Sequence, residues 1–444
     1  MSVRSSGPAS PSPQSSRRSF LHGAVIGAAG LAAGSLLPRN GLGADFPEGS
    51  VPGVPIRALT SGPKFHWFGY YDKEQFDPTN RFVLSNEVGF EHRTPTEEDT
   101  IGVGMVDIEN GDAWKELGRS AAWGWQQGCM LQWIPSTPSS VIWNDREGDR
   151  HVSRIVDVKS GESRTIPKPI YALSPDGKTA VTPDFARIQN LRPGYGYQGI
   201  ADPFVEERAP KDSGIWRVDL ETGDAKLIIS LADVAKIPHR GQPIGDVWQW
   251  FNHLLVSPDG ERFIFLHRWR EKFDPATGKF SEPFHTRMFT ARLDGSDLFV
   301  LDPSGHTSHF IWRDERHVCA WTKPDGKDAA FYLFEDKTRN VEIVGEGIMT
   351  VNGHNTYLPG TNGEWILNDT YPDKDRRQNP YLFHVPTGRR VPLGGFFSPK
   401  EYAGEWRCDT HPRSSRDGRL VTIDSPHGGN GRQIYLLDVS GIVG

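Results

Sequence analysis

The sequence predicts an all-β chain, a seven-bladed β-propeller of four-stranded blades closed by an N-terminal strand. Three observations predict it. A unit of turn, strand, loop, strand and hairpin recurs along the chain. No stretch beyond the first 44 residues carries a long amphipathic helical pattern. The chain also ends one strand short of a full last unit, while a spare strand precedes the first.

The turns mark the units. They fall at Asp77-Pro78, Ile134-Pro135, Ser174-Pro175-Asp176-Gly177, Ser257-Pro258-Asp259-Gly260, Arg313-Asp314, Leu358-Pro359 and Ser415-Arg416-Asp417-Gly418. Counted from Pro78, the intervals are 57, 40, 83, 56, 45 and 57 residues, each long enough for one four-stranded sheet. Strands rich in β-branched and aromatic residues follow the turns, for example Arg262–Leu266 and His317–Trp321, and hairpins such as Glu221-Thr222-Gly223 and Pro386-Thr387-Gly388 close them. Gln433–Val439 leaves the last unit one strand short, and Ile56–Thr60 is placed to supply its outer strand. The interval of 83 residues implies a large insertion from about Arg187 to Trp248, and Glu87 to Ile101 is a second excursion. Long loops on a rigid scaffold commonly serve binding. One short helix is expected, around Leu231 to Ala235.

Residues 1–44 read as a twin-arginine signal peptide: Ser16-Arg17-Arg18-Ser19-Phe20-Leu21, then a Gly/Ala-rich apolar run, then small residues near Leu42-Gly43-Ala44. The run is too short and too rich in Gly and Ala for a membrane span. The expected location is therefore periplasmic or secreted, with residues 45–444 forming the propeller and no membrane span in the mature chain. Removal of the leader takes away four arginines and no acid, leaving 46 basic against 56 acidic side chains, a net charge of −10. That balance argues against nucleic acid or anionic lipid as a partner. A polyanionic ligand would need a local basic site. Cys129, Cys319 and Cys408 are odd in number and far apart, so no disulfide framework is expected.

Chemistry emerges when the units are superposed. Five residues before the turn, on the strand that lines the central channel, stand His253, His309, His354 and His411, in four consecutive units. Histidine occupies 15 of 444 positions, so four in register is a poor match to chance. Neighbouring imidazoles at the axis of a propeller are placed to share a divalent cation or to act as bases without one. Gln127, on the second unit's inner strand, either completes such a shell or lines the channel. Tyr171 lies on the third inner strand, one step past the aligned position, and Arg187 follows that unit's next strand. Tyr195 and Tyr197, on a Gly-rich loop, read as a sugar-stacking surface or as packing for the loop. Arg407 and Arg413 add charge at strand ends, where most such acids and arginines are expected to form blade-to-blade ion pairs.

The units resemble the TolB-type propeller repeat. The segments Phe251-Asn252-His253, Ser257-Pro258-Asp259-Gly260, Leu266-His267-Arg268-Trp269 and His411-Pro412-Arg413 resemble the propeller polysaccharide lyases, the oligogalacturonate lyases and, more loosely, the ulvan lyases. The resemblance spans the ring as architecture and only short motifs as sequence. It implies a manganese-like ion on His309, His354 and His411, completed by Gln127, with His253 as base or fourth ligand. At the last blade the family pattern is Gln-x-x-His-x-His, whereas this chain has Cys408-x-x-His411-x-Arg413. In the ulvan lyases a tyrosine transfers protons and an arginine neutralises the uronate carboxylate; Tyr171 and Arg187 sit at a similar spacing, and Arg413 is a further contact for an acidic sugar. The implied reaction is β-elimination on an acidic poly- or oligosaccharide, in which positive charge stabilises an enolate while a base removes the C5 proton. Two other classes fit the repeats: a non-catalytic TolB-like ring that binds a glycan or protein, and a propeller glycoside hydrolase with paired carboxylates.

Overall fold

The computed structural model describes Gly49, residues 51–270, the short strands Phe273–Asp274 and Lys279–Phe280, and residues 283–444. The expected leader, residues 1–44, lies outside the described residues. Seven antiparallel four-stranded sheets follow one another along the chain. Blades one to six begin with the inner strands Phe65–Trp67, Gln132–Trp133, Ala172–Leu173, Trp248–Val256, Phe310–Trp312 and Thr356–Tyr357. Blade seven takes Arg413–Ser414, Leu420–Ser425 and Gln433–Asp438 from the C-terminus and Ile56–Ala58 from the N-terminus. Ile56 faces Leu437 and Ala58 faces Tyr435, and the pairing continues as Leu59 N–H donates to the Ile434 carbonyl at 2.8 Å. The chain is thus a seven-bladed β-propeller with the closure expected from the sequence.

The repeated turn has one chemistry. In Ser174-Pro175-Asp176-Gly177 the serine hydroxyl donates to Asp176 at 2.5 Å and accepts from Thr179 N–H at 3.0 Å, while Gly177 N–H returns to the Ser174 carbonyl at 2.9 Å. The same contacts recur around Ser257 and around Ser415. Gly177, Gly260 and Gly418 have φ of 71°, 77° and 71°, a region that costs glycine nothing. The turn therefore starts each second strand in a set register.

Side chains alternate across each strand, so every blade packs on both neighbours. On His317–Thr322, Val318 and Ala320 pack with Ile264, Leu266 and Phe310 towards blade four, whereas Cys319 packs with Ile366 and Phe383 towards blade six. All three cysteines are buried and free. Among the described residues no helix is long and apolar enough to cross a membrane.

The expected helix is Leu231–Ala235, capped by the Ser230 hydroxyl. A second helix, Phe185–Leu191, was not expected; Asp184 caps it through Ala186 N–H and Arg187 N–H, and Phe185, Ile188 and Leu191 form its buried stripe. The expected single insertion is in fact two segments, because the outer strands of blade three, Gly214–Asp219 and Ala225–Ser230, lie inside it. The first segment carries Tyr195 to the end of the ring opposite the Ser-Pro-Asp-Gly turns.

Two predictions follow from this architecture. Deletion of the chain through Leu59 exposes the edge of Gln433–Asp438, and the truncated protein should show a lower Tm and concentration-dependent association in light scattering. An unchanged Tm would mean that the strand is decoration. Second, burial holds the His151 and His427 imidazoles down at about 4, helped in each case by nearby cationic side chains. Their folded values lie below the ordinary 6.5, so the unfolded chain binds more protons between about 4 and 6.5. Stability should therefore fall as the pH drops through that window. His427→Phe should flatten the slope of Tm against pH in calorimetry.

Candidate functional site

The inner strands do not run straight past the axis. His253 has φ of 51°, and it is the extra residue of a bulge, since Asn252 faces Leu266 and Leu254 faces Phe265. His411 at φ 38° and Met130 at φ 57° share this unusual backbone at the same offset from the turn. A positive φ is uncommon for a non-glycine residue, and its recurrence here marks a functional backbone.

Blades five, six and seven bring three imidazoles together. The ring centroids of His309 and His354 are 4.2 Å apart, and those of His354 and His411 are 4.3 Å apart. Ligand atoms of His354, His411 and Asp409 lie within 4.8 Å of one another, and all three residues are buried. His354 Nδ1–H donates to Asp369 at 2.9 Å, and Asp369 is held in turn by the Thr410 hydroxyl at 2.6 Å. His309 Nδ1–H donates to Asn352 Oδ1 at 2.9 Å. Both contacts leave Nε2 with its lone pair, which is how metal-ligating histidines are commonly oriented. His411 Nε2 is buried without a hydrogen-bond partner and stands 3.9 Å from Asp409 Oδ2. Burial, and then the neighbouring His354, press His309 and His411 well below the usual imidazole range, so both remain neutral. A divalent cation fits this donor set: neutral imidazoles, one carboxylate and an orphaned nitrogen.

His253 does not join the three. It stacks on Phe310 at 3.9 Å, its Nε2 contacts Asp72 at 3.0 Å, and it has no exposed surface. Between it and the other histidines lie two side chains that sequence reasoning missed. Tyr70 contacts the rings of both His253 and His411, and Tyr71 contacts all four histidines. Asp72, squeezed upward by burial, is outweighed by Lys73 and His253 and held at about 2. The five-residue offset applied to the first unit lands on Lys73, with Tyr70, Tyr71 and Asp72 just before it. That was the available signal.

Further expected site residues are committed elsewhere. Arg187 is 1% exposed; it pairs with Asp202 at 3.2 Å and donates to the carbonyls of Phe204, Glu207, Arg208 and Gln249. It holds the inserted segment and has no face for a substrate. Tyr197 is fully buried, stacked on Phe185 at 4.2 Å and bonded to Asn144, so it packs the loop and cannot stack on a sugar. Arg413 is spent on Asp424 at 2.7 Å and Gln75 at 2.9 Å, inside blade seven. Tyr171 is fully buried; its hydroxyl accepts from Gln127 Nε2 at 2.7 Å, and burial pushes its phenol far up. Gln127 Oε1 remains buried without a partner.

Tyr195 is the expected residue that reaches the histidine cluster's mouth. Gly196 lets its loop lie against the helix, where a Cβ would stand 2.2 Å from Gln189 N. The Tyr195 hydroxyl accepts from Arg407 Nη2 at 2.7 Å, and Arg407 Nε donates to Asp409 Oδ2 at the same distance. Arg192 lies over the Tyr195 ring at 3.9 Å. Burial alone would raise this phenol, but Arg192 and Arg407 outweigh it and leave Tyr195 below the usual value. Tyr371, whose hydroxyl is 3.5 Å from His309 Nε2, is raised by burial and by Asp409 and stays protonated. Gln126 fixes Arg407 through its carbonyl at 3.1 Å and that of Glu405 at 2.7 Å. Arg192, Tyr371 and Arg407 are partly exposed and form the rim.

Comparison with known proteins establishes the fold. An oligogalacturonate lyase from Vibrio parahaemolyticus superposes with a TM-score of 0.61 at 15% identity, over 89% of this chain and 96% of that one. An oligogalacturonate lyase in complex with manganese gives 0.61 at 14% identity, over 88% and 95%. TolB from Acinetobacter baumannii gives 0.38 at 15% identity, over 68% and 61%. No protein-family model matches the chain, and no curated protein sequence does.

The role of Arg187 is open to test. Arg187→Met leaves Asp202 buried without its counter-charge and should cost about 3–5 kcal/mol in chemical denaturation. A variant of wild-type stability that is catalytically dead would instead return Arg187 to the active site.

Proposed function

We propose that this chain is an exported polysaccharide lyase that cleaves a uronic-acid-containing glycan by β-elimination. The observation that carries this reading is Tyr195, whose hydroxyl accepts from Arg407 and whose ring lies under Arg192, beside the His354–Asp409–His411 cluster to which Arg407 is bonded through Asp409. The fold shared with the oligogalacturonate lyases supports it, and the manganese in one of them suggests the kind of ion. The leader read in the sequence supports export.

Tyr195 is shifted down and Tyr371 up at one mouth, the division an elimination requires of its base and its acid. Arg407 binds the uronate carboxylate, with Arg192 adding positive charge from the other side of Tyr195. Tyr195 Oη takes the proton from C5. The electron pair of that C–H bond forms the 4,5-double bond as the C4–O4 bond breaks. Tyr371, kept protonated, gives its proton to the departing O4. When bound to His354, His411 and Asp409, with His309 and Gln127 Oε1 as further donors, a divalent cation supplies charge that stabilises the enolate. His253 and Tyr171, each placed in the sequence reading as base or acid, support this centre from behind: His253 and Asp72 brace Tyr70 and Tyr71, and Tyr171 orients Gln127. A glycoside hydrolase would need two carboxylates at the mouth. Asp409 is bonded to Arg407, and the carboxylate beside it, Asp369, is taken up by His354 and Thr410.

Two measurements test the reading. Incubation with uronate polymers should raise ultraviolet absorbance as the conjugated 4,5-unsaturated product forms. Tyr195→Phe should lower that rate by about 10²- to 10⁴-fold with an unchanged circular dichroism spectrum. Loss of viscosity without absorbance would show hydrolysis, and binding without cleavage across a panel of uronate polymers would show a lectin-like ring. Separately, Asp369→Asn should weaken divalent-metal binding by about 10–100-fold in calorimetric titration, because it loosens the His354 tautomer. Equal affinity in the variant would remove His354 from the metal site.

A further inference from the structure

Beside the proposed catalytic mouth the chain gathers positive charge, of which the elimination uses Arg192 alone. Strands Trp248–Val256 and Arg262–Arg270 pair so that Trp248 faces Arg270 and Trp250 faces Arg268. Residues two apart share a strand face, so Arg268 and Arg270 point the same way at the end of blade four. Phe284 lies against both: its ring centroid is 4.9 Å from the Arg268 guanidinium carbon and 5.2 Å from that of Arg270. Arg192 reaches the same ring at 4.7 Å from the inserted segment. Three guanidiniums thus surround one phenyl ring.

The hydrogen-bonding capacity of Arg268 and Arg192 is not met. Arg268 is 4% exposed, yet its Nε and Nη1 have no partner. Arg192 Nη1 and the indole nitrogen of Trp250 are likewise buried and unpartnered. Among the described residues no carboxylate forms an ion pair with Arg192 or Arg268. Burial and the nearby Arg192 pull Arg270 down to about 10, as expected of cations crowded together. Buried donors on charged groups are costly when unmade, and an anion with several acceptor oxygens relieves them together. A bidentate oxyanion suits this set, since guanidinium is planar and forked.

We infer that Arg192, Arg268, Arg270 and Trp250 form a second anion subsite, which takes another acidic group of the same glycan, a carboxylate or a sulfate ester, next to the sugar that is cleaved. The assignment of its ligand rests on the lyase reading; the anion site itself rests on these side chains. Arg192 links the two, because it touches both Phe284 and Tyr195.

The experiment uses inorganic sulfate, a trimeric uronate and a neutral trisaccharide bearing one sulfate ester, titrated calorimetrically into the full protein at low ionic strength. Saturable sulfate binding that falls at least tenfold in Arg268→Met and is partly restored in Arg268→Lys supports the subsite. Should Arg268→Met fail to fold, Arg268→Lys decides, since a point charge retains the attraction but loses the bidentate grip. Preference for the trimeric uronate identifies a carboxylate ligand, and preference for the sulfated trisaccharide identifies a sulfate ester. Absence of binding by all three probes, or equal binding in wild type and Arg268 variants, overturns the proposal. Tyr195→Phe separates the two readings. If it keeps sulfate binding and wild type cleaves nothing, the anion site stands and the lyase falls. If wild type cleaves uronates and sulfate binding ignores Arg268, the reverse holds.

Discussion

Closure of the ring is the constraint on which the rest depends. An inner strand can present a side chain to the axis only while its blade is pressed on both sides, and the last blade is completed by three residues from the opposite end of the chain. Strand pairing is reinforced by buried charge where blades seven and one meet. Asp424 accepts from the Phe68 and Gly69 amides of blade one while holding Arg413 at 2.7 Å, and Arg413 reaches Gln75. Glu91, from the first excursion, pairs with Arg432 of blade seven at 3.0 Å, both within the core. Each of these groups would be costly to leave alone in a low dielectric. The seam is thus polar and specific, a feature it shares with the contact of blades four and five, where Asp336 takes Arg262 and Thr290.

The same seam sets the contents of the channel. By fixing Phe68 and Gly69, Asp424 directs Tyr70 and Tyr71 into the axis, where they divide the histidines into a set of three and a single one. The three belong to adjacent blades and converge. The fourth, His253, is turned towards Asp72 and Phe310. Alignment by repeat therefore predicts the height of a side chain but not its neighbours. Those depend on which blade sends a non-repeating segment across the axis.

This explains what could be read beforehand. The turns, the seven units, the closing strand and the four aligned histidines are local or periodic signals, and each lies where its spacing implied. Arg187 was illegible because what claims it is non-local: Asp202 and carbonyls from Phe204 to Gln249, brought together only when the inserted segment folds back. Arg413 misled for a similar reason, since its partners Asp424 and Gln75 lie on a neighbouring strand and the next blade. Asp409 was closer to hand, two residues before His411, but a carboxylate at a strand end gives no sign of facing a cavity. Tyr195 was read for its aromatic face, whereas its position between Arg192 and Arg407 makes the hydroxyl its distinctive part.

Charge at the mouth is organised against the trend of the whole molecule. The chain is net acidic, yet Arg192, Arg268 and Arg270 collect around Phe284, and Arg407, bonded to Asp409, stands with Arg192 at Tyr195. Such a field attracts anions to one place and repels them elsewhere, which favours entry at that face. It also differentiates chemically similar groups. Tyr70 and Tyr71, which are buried, and Tyr371, which is partly so, are phenols raised by desolvation; Tyr195 is as buried as the first two but lies between two guanidiniums and moves the other way. Two phenols near Arg407 are thus shifted in opposite directions. Removing either arginine would take away one of the two charges that set Tyr195 apart.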